Sequence, residues 1–426
     1  MAYDYAFEMA ASDIRYGPGA THEVGMDLAD LGVKRVMVLT DPNLSKLPPV
    51  EKVIESLTRE KIEYVLFDRV RVEPTDTSFK EAIEFAVSET FDGFVAVGGG
   101  STMDTAKAAN LYSTYPTEDF LDYVNPPIGK GLPVPGMLKP LFAIPTTAGT
   151  GSETTGVAIF DLEAMHAKTG IAHRRLKPTL GIVDPENTRT LPPIIAAATG
   201  LDVLTHAVES YTTIPFYKRP RPERPILRPA YQGCNPISDI WALEAMRILA
   251  RNFIRAVENP EDEEARGMMM LAASFAGMGF GNAGVSLPHG MSYPVSGMIR
   301  DYKPDDYPVD YPLVPHGMAV VLNAPAAFRF TAPACPERHL QAAEALGADI
   351  TTAGLEDAGR ILSEQVIYFM KRVNIPNGLG AIGFTRDDIP HLVKGTLPQH
   401  RVIKLSPRPV GEEELEQIFQ DAMVYW

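Results

Sequence analysis

Phe94-Val95-Ala96-Val97-Gly98-Gly99-Gly100-Ser101-Thr102-Met103-Asp104 is the stretch that decides the fold. A short β-branched run enters three consecutive glycines and leaves them into Thr105-Ala106-Lys107-Ala108-Ala109-Asn110, a segment of helical character. The order is strand, glycine turn, helix. Glycines with no Cβ let backbone N–H groups approach a phosphate, and a helix N-terminus adds partial positive charge. The spacing is not G-x-G-x-x-G. Gly98, Gly99, Gly100 and Ser101 therefore read either as a diphosphate cradle or as a plain tight turn, for which glycine is the default residue.

The same alternation extends on both sides, from Lys34 to about Asp184. Arg35-Val36-Met37-Val38-Leu39, Tyr64-Val65-Leu66-Phe67 and Leu141-Phe142-Ala143-Ile144 are further strand-like runs, and helix-patterned segments separate the first two from each other and from the run at Phe94. That pattern predicts a parallel sheet, which binds ligands at its strand C-termini. After the last run, Pro145-Thr146-Thr147-Ala148-Gly149-Thr150-Gly151-Ser152-Glu153 offers hydroxyls and small residues, either for a cofactor or for helix capping. Asp41, at the end of the first run, is placed to accept from the ribose hydroxyls of NAD, or to cap a helix.

Beyond Pro193 the periodicity becomes helical, in Ile194–Ser210, Ile237–Val257, Glu264–Phe280, Pro336–Leu346 and Thr352–Val373. Two proline-rich stretches, Ile214–Pro236 and Tyr302–Pro315, interrupt it and read as ordered loops or lids. The expected architecture is an N-terminal Rossmann-like α/β domain over residues 1–192 and an all-α domain over residues 193–426. At 426 residues, two cores are the natural division.

Within the helical half, Asp202 and His206 stand four residues apart on one helix face, which suits either a metal or a surface pair. Pro288-His289-Gly290-Met291 and Pro315-His316-Gly317-Met318 repeat an unusual string, so three of the nine histidines join one candidate set. Singly, each is as readily a turn histidine. Together, one carboxylate and three imidazoles suit a borderline divalent ion, Fe2+ or Zn2+, with a coordination position left open for a substrate oxygen.

A formal net charge of −15 and the lack of a basic stripe argue against nucleic acid as a partner. Two cysteines, Cys234 and Cys335, are too few for a disulfide framework or a thiolate cage. No apolar run approaches membrane-spanning length, and no Arg/Ser-rich leader is visible, so no membrane association and a cytoplasmic location are expected.

The triple glycine with Ser101, the Thr146–Glu153 string, Asp202 with His206, and the two Pro-His-Gly strings together resemble the iron-containing alcohol dehydrogenase family over nearly the whole chain. The resemblance implies a dehydroquinate synthase-like fold with its active site in the cleft between two domains. It also implies a homodimer, a bound NAD, and one divalent metal, iron before zinc. Metal ligands, and with them the catalytic centre, fall on Asp202, His206, His289 and His316. Cofactor contacts fall on Asp41, Gly100, Ser101, Thr146, Thr147 and Thr150, with Lys168 reaching the nicotinamide ribose.

Within the family the chain is similar to the hydroxyacid–oxoacid transhydrogenase branch, on strings such as Ile14-Arg15-Tyr16-Gly17-Pro18-Gly19, Arg71-Val72-Glu73-Pro74-Thr75-Asp76 and Arg228-Pro229-Ala230-Tyr231-Gln232-Gly233. That branch implies hydride transfer from 4-hydroxybutyrate to 2-oxoglutarate, giving succinate semialdehyde and 2-hydroxyglutarate on a retained NAD. The alternative is an iron-containing, NAD-dependent alcohol or 4-hydroxybutyrate dehydrogenase that releases NADH; a lyase of the dehydroquinate synthase type shares only the fold. Either oxidoreductase takes small hydroxy acids, oxo acids or alcohols. Two departures stand out. Tyr293 replaces a histidine that many relatives use in a proton relay, and Asp301–Pro315, between His289 and His316, reads as an insertion relative to shorter relatives; the other long insertion, Ile214–Pro236, carries Lys218, Arg219, Arg221, Arg224 and Arg228. Arginine's planar fork matches a carboxylate, which makes Arg228 the preferred substrate contact, with Tyr293 as a second.

Overall fold

The computed structural model describes residues 2–165 and 167–426. Two compact units emerge, Ala10–Leu191 and a second made of Met1–Met9 with Pro192–Trp426.

In the first unit, six strands make one parallel sheet. They are β1 (Asp13–Tyr16), β2 (Arg35–Leu39), β3 (Glu63–Phe67), β4 (Gly93–Gly98), β5 (Leu141–Pro145) and, after an antiparallel pair β6 (Val157–Leu162) and β7 (Ala167–Ala172), β8 (Leu180–Val183). The order across the sheet is β1-β8-β5-β4-β2-β3. Strand side chains alternate between two cores. Val36, Val38, Val95 and Val97 pack with Val24 and Leu28 of α1 (Val24–Asp30) and Val50, Val53 and Leu57 of α2 (Pro48–Arg59). Met37, Leu39, Phe94 and Ala96 point the other way, onto Ala82 and Ala86 of α3 (Asp76–Ser88) and Met103 and Ala106 of α4 (Gly100–Thr114). Helices on both faces explain why β4 is buried along its whole length, and why it reads as a continuous apolar run.

The sheet delivers two loops to one place. β4 pairs with β5 so that Gly98 lies opposite Pro145, and the Thr146 N–H donates to the Gly98 carbonyl at 3.1 Å. The expected strands at β2, β3, β4 and β5 are present. β1, β8 and the β6–β7 pair are additional, being four to six residues long without distinctive alternation.

The second unit is helical: α5 (Pro193–Thr212), α6 (Pro236–Glu258), α7 (Glu263–Ala283), α8 (Leu287–Gly297), α9 (His316–Val321), α10 (Ala324–Thr331), α11 (Pro336–Ala345), α12 (Ala358–Arg372), α13 (Ile389–Thr396), α14 (His400–Ile403) and α15 (Glu412–Asp421). From Leu201 to Thr212 every residue of α5 is buried, the mark of a helix surrounded by others. The proline-rich stretches are irregular, with only the short 3-10 turns Phe216–Lys218 and Pro225–Leu227 in the first. Among the described residues no single helix is long and apolar enough to cross a membrane.

Residues 2–9, placed by sequence with the nucleotide domain, pack with the helical unit instead. Asp4 takes both arms of the Arg228 guanidinium, at 2.9 and 3.0 Å. Glu8 and Gln232 exchange two hydrogen bonds of 2.8 Å, as one strand residue does with another. No local pattern announces such a pairing across 224 positions.

Candidate metal centre and nucleotide loops

Helix α5 places Asp202 and His206 one turn apart, both buried. His289 lies in the first turn of α8, which begins Leu287-Pro288, and His316 opens α9 directly after Pro315. The repeated Pro-His-Gly-Met string thus marks two helix starts, where proline costs no backbone hydrogen bond. Its glycine has a separate reason at Gly317: a Cβ there would stand 2.1 Å from the Ala198 carbonyl oxygen and 2.7 Å from the Asp202 Cβ. Close approach of α9 to α5 requires a residue without a side chain.

These elements bring four donors together. Asp202 Oδ1 is 3.7 Å from His206 Nδ1, 3.7 Å from His289 Nε2 and 3.8 Å from His316 Nε2. Such separations are too long for hydrogen bonds. They are close to the edge of a tetrahedron, about 3.3–3.6 Å when metal–donor bonds are about 2.0–2.2 Å. Asp202 Oδ1, His206 Nδ1 and His289 Nε2 are also buried without a hydrogen-bond partner among the described residues. Three orphaned polar atoms facing one another would be costly unless something fills the space between them, so the donor set fits a divalent cation.

The electrostatics agree. Burial opposes charge on Asp202, but the three imidazoles outweigh it and hold the carboxyl well below its usual range. Burial pushes His206 down to about 3, so it is a neutral donor. Its ring stacks on Phe280, centroids 3.9 Å apart, which fixes its plane. His289 is pushed down by burial but carried above its ordinary value by the Glu209 and Asp202 carboxylates.

Glu209 is a residue that the sequence reading missed. Its side chain is fully buried, with Oε1 2.6 Å from His289 Nδ1, while Oε2 accepts from the Ser286 backbone N–H. A carboxylate on Nδ1 holds the proton there and leaves Nε2 as the donor. The signal was available, because Asp202, His206 and Glu209 follow the i, i+4, i+7 spacing of one helix face.

In the sheet unit, Gly98, Gly99, Gly100 and Ser101 form the β4–α4 junction, and α4 starts without a side-chain cap. A Cβ on Gly100 would lie 2.5 Å from Thr150 Cγ2, so the two loops touch through glycine. Thr146 is buried, whereas Gly99, Gly100, Ser101, Thr147 and Thr150 keep partial exposure. A buried network locks them: Asp104 Oδ1 accepts from Ser152 Oγ at 2.6 Å, and the Lys107 ammonium donates to the Val157 carbonyl at 2.9 Å. Lys168 Nζ reaches Glu73 Oε2 at 2.6 Å, and the Glu73 N–H donates to Ser101 Oγ at 3.1 Å, which links that lysine to the same junction. Asp41 accepts from the Asn43 and Leu44 backbone N–H groups at 2.8 and 3.3 Å, a capping role, and burial raises its carboxyl.

The cationic loop is differently disposed from the expectation. Arg228 is engaged by Asp4, Arg219 donates to the Tyr231 carbonyl, and Arg221 lies over the Tyr5 ring at 4.4 Å. Lys218 and Arg224 are exposed. Tyr293, one turn after His289 in α8, is buried and accepts from Arg401 at 3.0 Å.

The family model "Iron-containing alcohol dehydrogenase" matches residues 11–185, and "Fe-containing alcohol dehydrogenase family, C-terminal" matches residues 230–423. The chain belongs to the iron-containing alcohol dehydrogenase family, and is accordingly an oxidoreductase acting on CH–OH groups. Its fold is the dehydroquinate synthase-like one: the alcohol dehydrogenase from Oenococcus oeni superposes with a TM-score of 0.85 at 27% identity, over 98% of this chain and all of that one. The sulfoacetaldehyde reductase from Bifidobacterium kashiwanohense, solved in complex with NAD+, gives 0.79 at 25% identity over 99% of each chain.

Much higher similarity links the chain to the mitochondrial hydroxyacid-oxoacid transhydrogenase of Bos taurus, 61% identical over 421 residues, 99% of this chain and 90% of that protein. The relatives' names point to the mitochondrion, which overturns the expectation of a cytoplasmic enzyme. The physical reason is that targeting segments are read by import machinery and are no part of the fold, so composition carries no compartment.

Proposed function

We propose that this chain is a hydroxyacid–oxoacid transhydrogenase that passes hydride from 4-hydroxybutyrate to 2-oxoglutarate, yielding succinate semialdehyde and 2-hydroxyglutarate. The observation that carries the reading is the convergence of Asp202 Oδ1 with one nitrogen each from His206, His289 and His316. The name and 61% identity of the Bos taurus relative support a hydroxy acid as hydride donor and an oxo acid as acceptor; the resemblance to that branch suggests the particular pair.

Asp202, His206, His289 and His316 would hold a divalent ion, iron on the family's description, which when bound lowers the pKa of a substrate hydroxyl or polarises a carbonyl, while NAD takes up and returns the hydride. Glu209 keeps the proton on His289 Nδ1. Phe280 covers one face of His206 and excludes water there. The uncapped start of α4, at Gly99, Gly100 and Ser101, presents N–H groups to a diphosphate, with Thr146, Thr147 and Thr150 as flanking hydroxyls. Gly98 turns the chain beneath them, and Asp41 and Lys168 are assigned to the ribose hydroxyls. The NAD+ in the complex of the Bifidobacterium kashiwanohense enzyme supports NAD as the cofactor.

The test is to mix purified enzyme with 4-hydroxybutyrate and 2-oxoglutarate without added NAD. Succinate semialdehyde and 2-hydroxyglutarate should form in equal amounts. Turnover that needs added NAD and releases NADH would assign the chain to the ordinary dehydrogenases instead. Metal analysis of anaerobically purified protein should find iron.

A further inference from the structure

Arg401 stands in the short helix α14, which packs on α8 so closely that a Cβ on Gly290 would lie 2.7 Å from Ile403 Cγ2. Its Nη2 donates to the Tyr293 hydroxyl at 3.0 Å, and its guanidinium carbon lies 4.9 Å from the centroid of the Tyr231 ring. Nη1 is buried and has no hydrogen-bond partner among the described residues. The groups that act most strongly on this guanidinium are the two phenols, and among the described residues no carboxylate is ion-paired with it. A cation with a buried, unused donor and no anion is expensive to keep, which points to a ligand that supplies the missing charge.

Two independent routes lead from Arg401 to the metal donors. Through Tyr293 the path follows α8 back one turn, about 6 Å, to His289. Through Tyr231 it passes the Phe280 ring, 6.4 Å away, which stacks on His206. A four-carbon 4-hydroxy acid, fully extended, spans about 5 Å from its hydroxyl oxygen to its carboxylate carbon and about 6 Å to the farther carboxylate oxygen at ordinary bond lengths. That length matches one helical turn.

We infer that Arg401, steadied by Tyr293 and Tyr231, is the specificity-determining residue of the site: its free Nη1 receives the remote carboxylate of a hydroxy acid or oxo acid whose oxygen lies among Asp202, His206, His289 and His316. The assignment rests on the transhydrogenase reading and names the residue that makes acids, and not plain alcohols, its substrates. Arg228 is already neutralised by Asp4, whereas Arg401 is not.

The test compares wild type, Arg401→Gln and Arg401→Lys as holoenzymes. The first readout is the ratio of kcat/KM for 4-hydroxybutyrate to that for 1-butanol. The second is calorimetric binding of glutarate, a dicarboxylate with no oxidisable hydroxyl. Loss of a charge-assisted contact to a carboxylate predicts that Arg401→Gln lowers both by about 10–100-fold, chiefly through KM, with Arg401→Lys in between. Wild-type values for both in Arg401→Gln would overturn the assignment. Should Arg401→Gln fold poorly, the glutarate-induced rise in Tm of Arg401→Lys decides: a smaller rise supports the role, and an equal one overturns it. A wild-type enzyme that neither prefers 4-hydroxybutyrate nor binds glutarate would refute the functional reading itself, and would be recognised before any variant is made.

Discussion

Replacing Glu209 with alanine tests the metal centre at a residue that would touch neither metal nor substrate. The side chain sits in α5, fully buried, and satisfies two donors at once, His289 Nδ1 and the Ser286 N–H. Glu209→Ala leaves both donors buried without an acceptor, which costs about 1–3 kcal/mol for each and therefore about 2–6 kcal/mol of stability. The second consequence is specific to the metal. Without the carboxylate the imidazole is free to rotate or to carry its proton on Nε2, and loss of such a partner typically weakens metal binding about 10–100-fold. Glu209→Gln keeps the volume and one acceptor oxygen, so it should fall between wild type and alanine in both measures. The assay is titration of apoprotein with Zn2+ against a chelator of known affinity, alongside urea unfolding of the same apoprotein. A Glu209→Ala protein that is less stable yet binds Zn2+ with wild-type affinity would refute the reasoning, because it would reduce Glu209 to a packing residue.

Gly317→Ala should push α9 away from α5, since its Cβ would meet the Ala198 carbonyl at 2.1 Å; about 1–3 kcal/mol of stability should go with it, together with stoichiometric metal. Full metal content and an unchanged Tm would contradict that account. His339, buried and hydrogen-bonded to Thr331 Oγ1 at 2.9 Å, is held by burial at about 4, below the ordinary histidine value of 6.5. The folded state therefore binds fewer protons than the unfolded one between those values. Stability from this site is intact above about pH 6.5 and drains as the pH falls through 4, by about 3 kcal/mol in total. His339→Gln should flatten that acid limb in urea unfolding at pH 7.5 and 4.5, and an unaltered slope would show that another group is responsible.

What could be read from the sequence was whatever is encoded within a few residues. Val95 to Asp104 spells strand, glycine turn and helix because each step has its own local chemistry, and Asp202 with His206 shares a helix face by spacing alone. The twin Pro-His-Gly-Met strings marked their histidines by repetition. The tertiary structure decided the partners. Arg228 and Arg401 are the same residue type, one in a conspicuous cationic loop and the other in an unremarked stretch near the C-terminus. Only the fold sets Asp4 against the first, 224 positions away in the chain, and leaves the second facing two phenols. Glu209 became a partner of His289 only when α8 was laid beside α5. Secondary structure follows from short-range sterics and periodicity, whereas charge pairing falls off within a few ångströms and depends on which distant segments packing brings together.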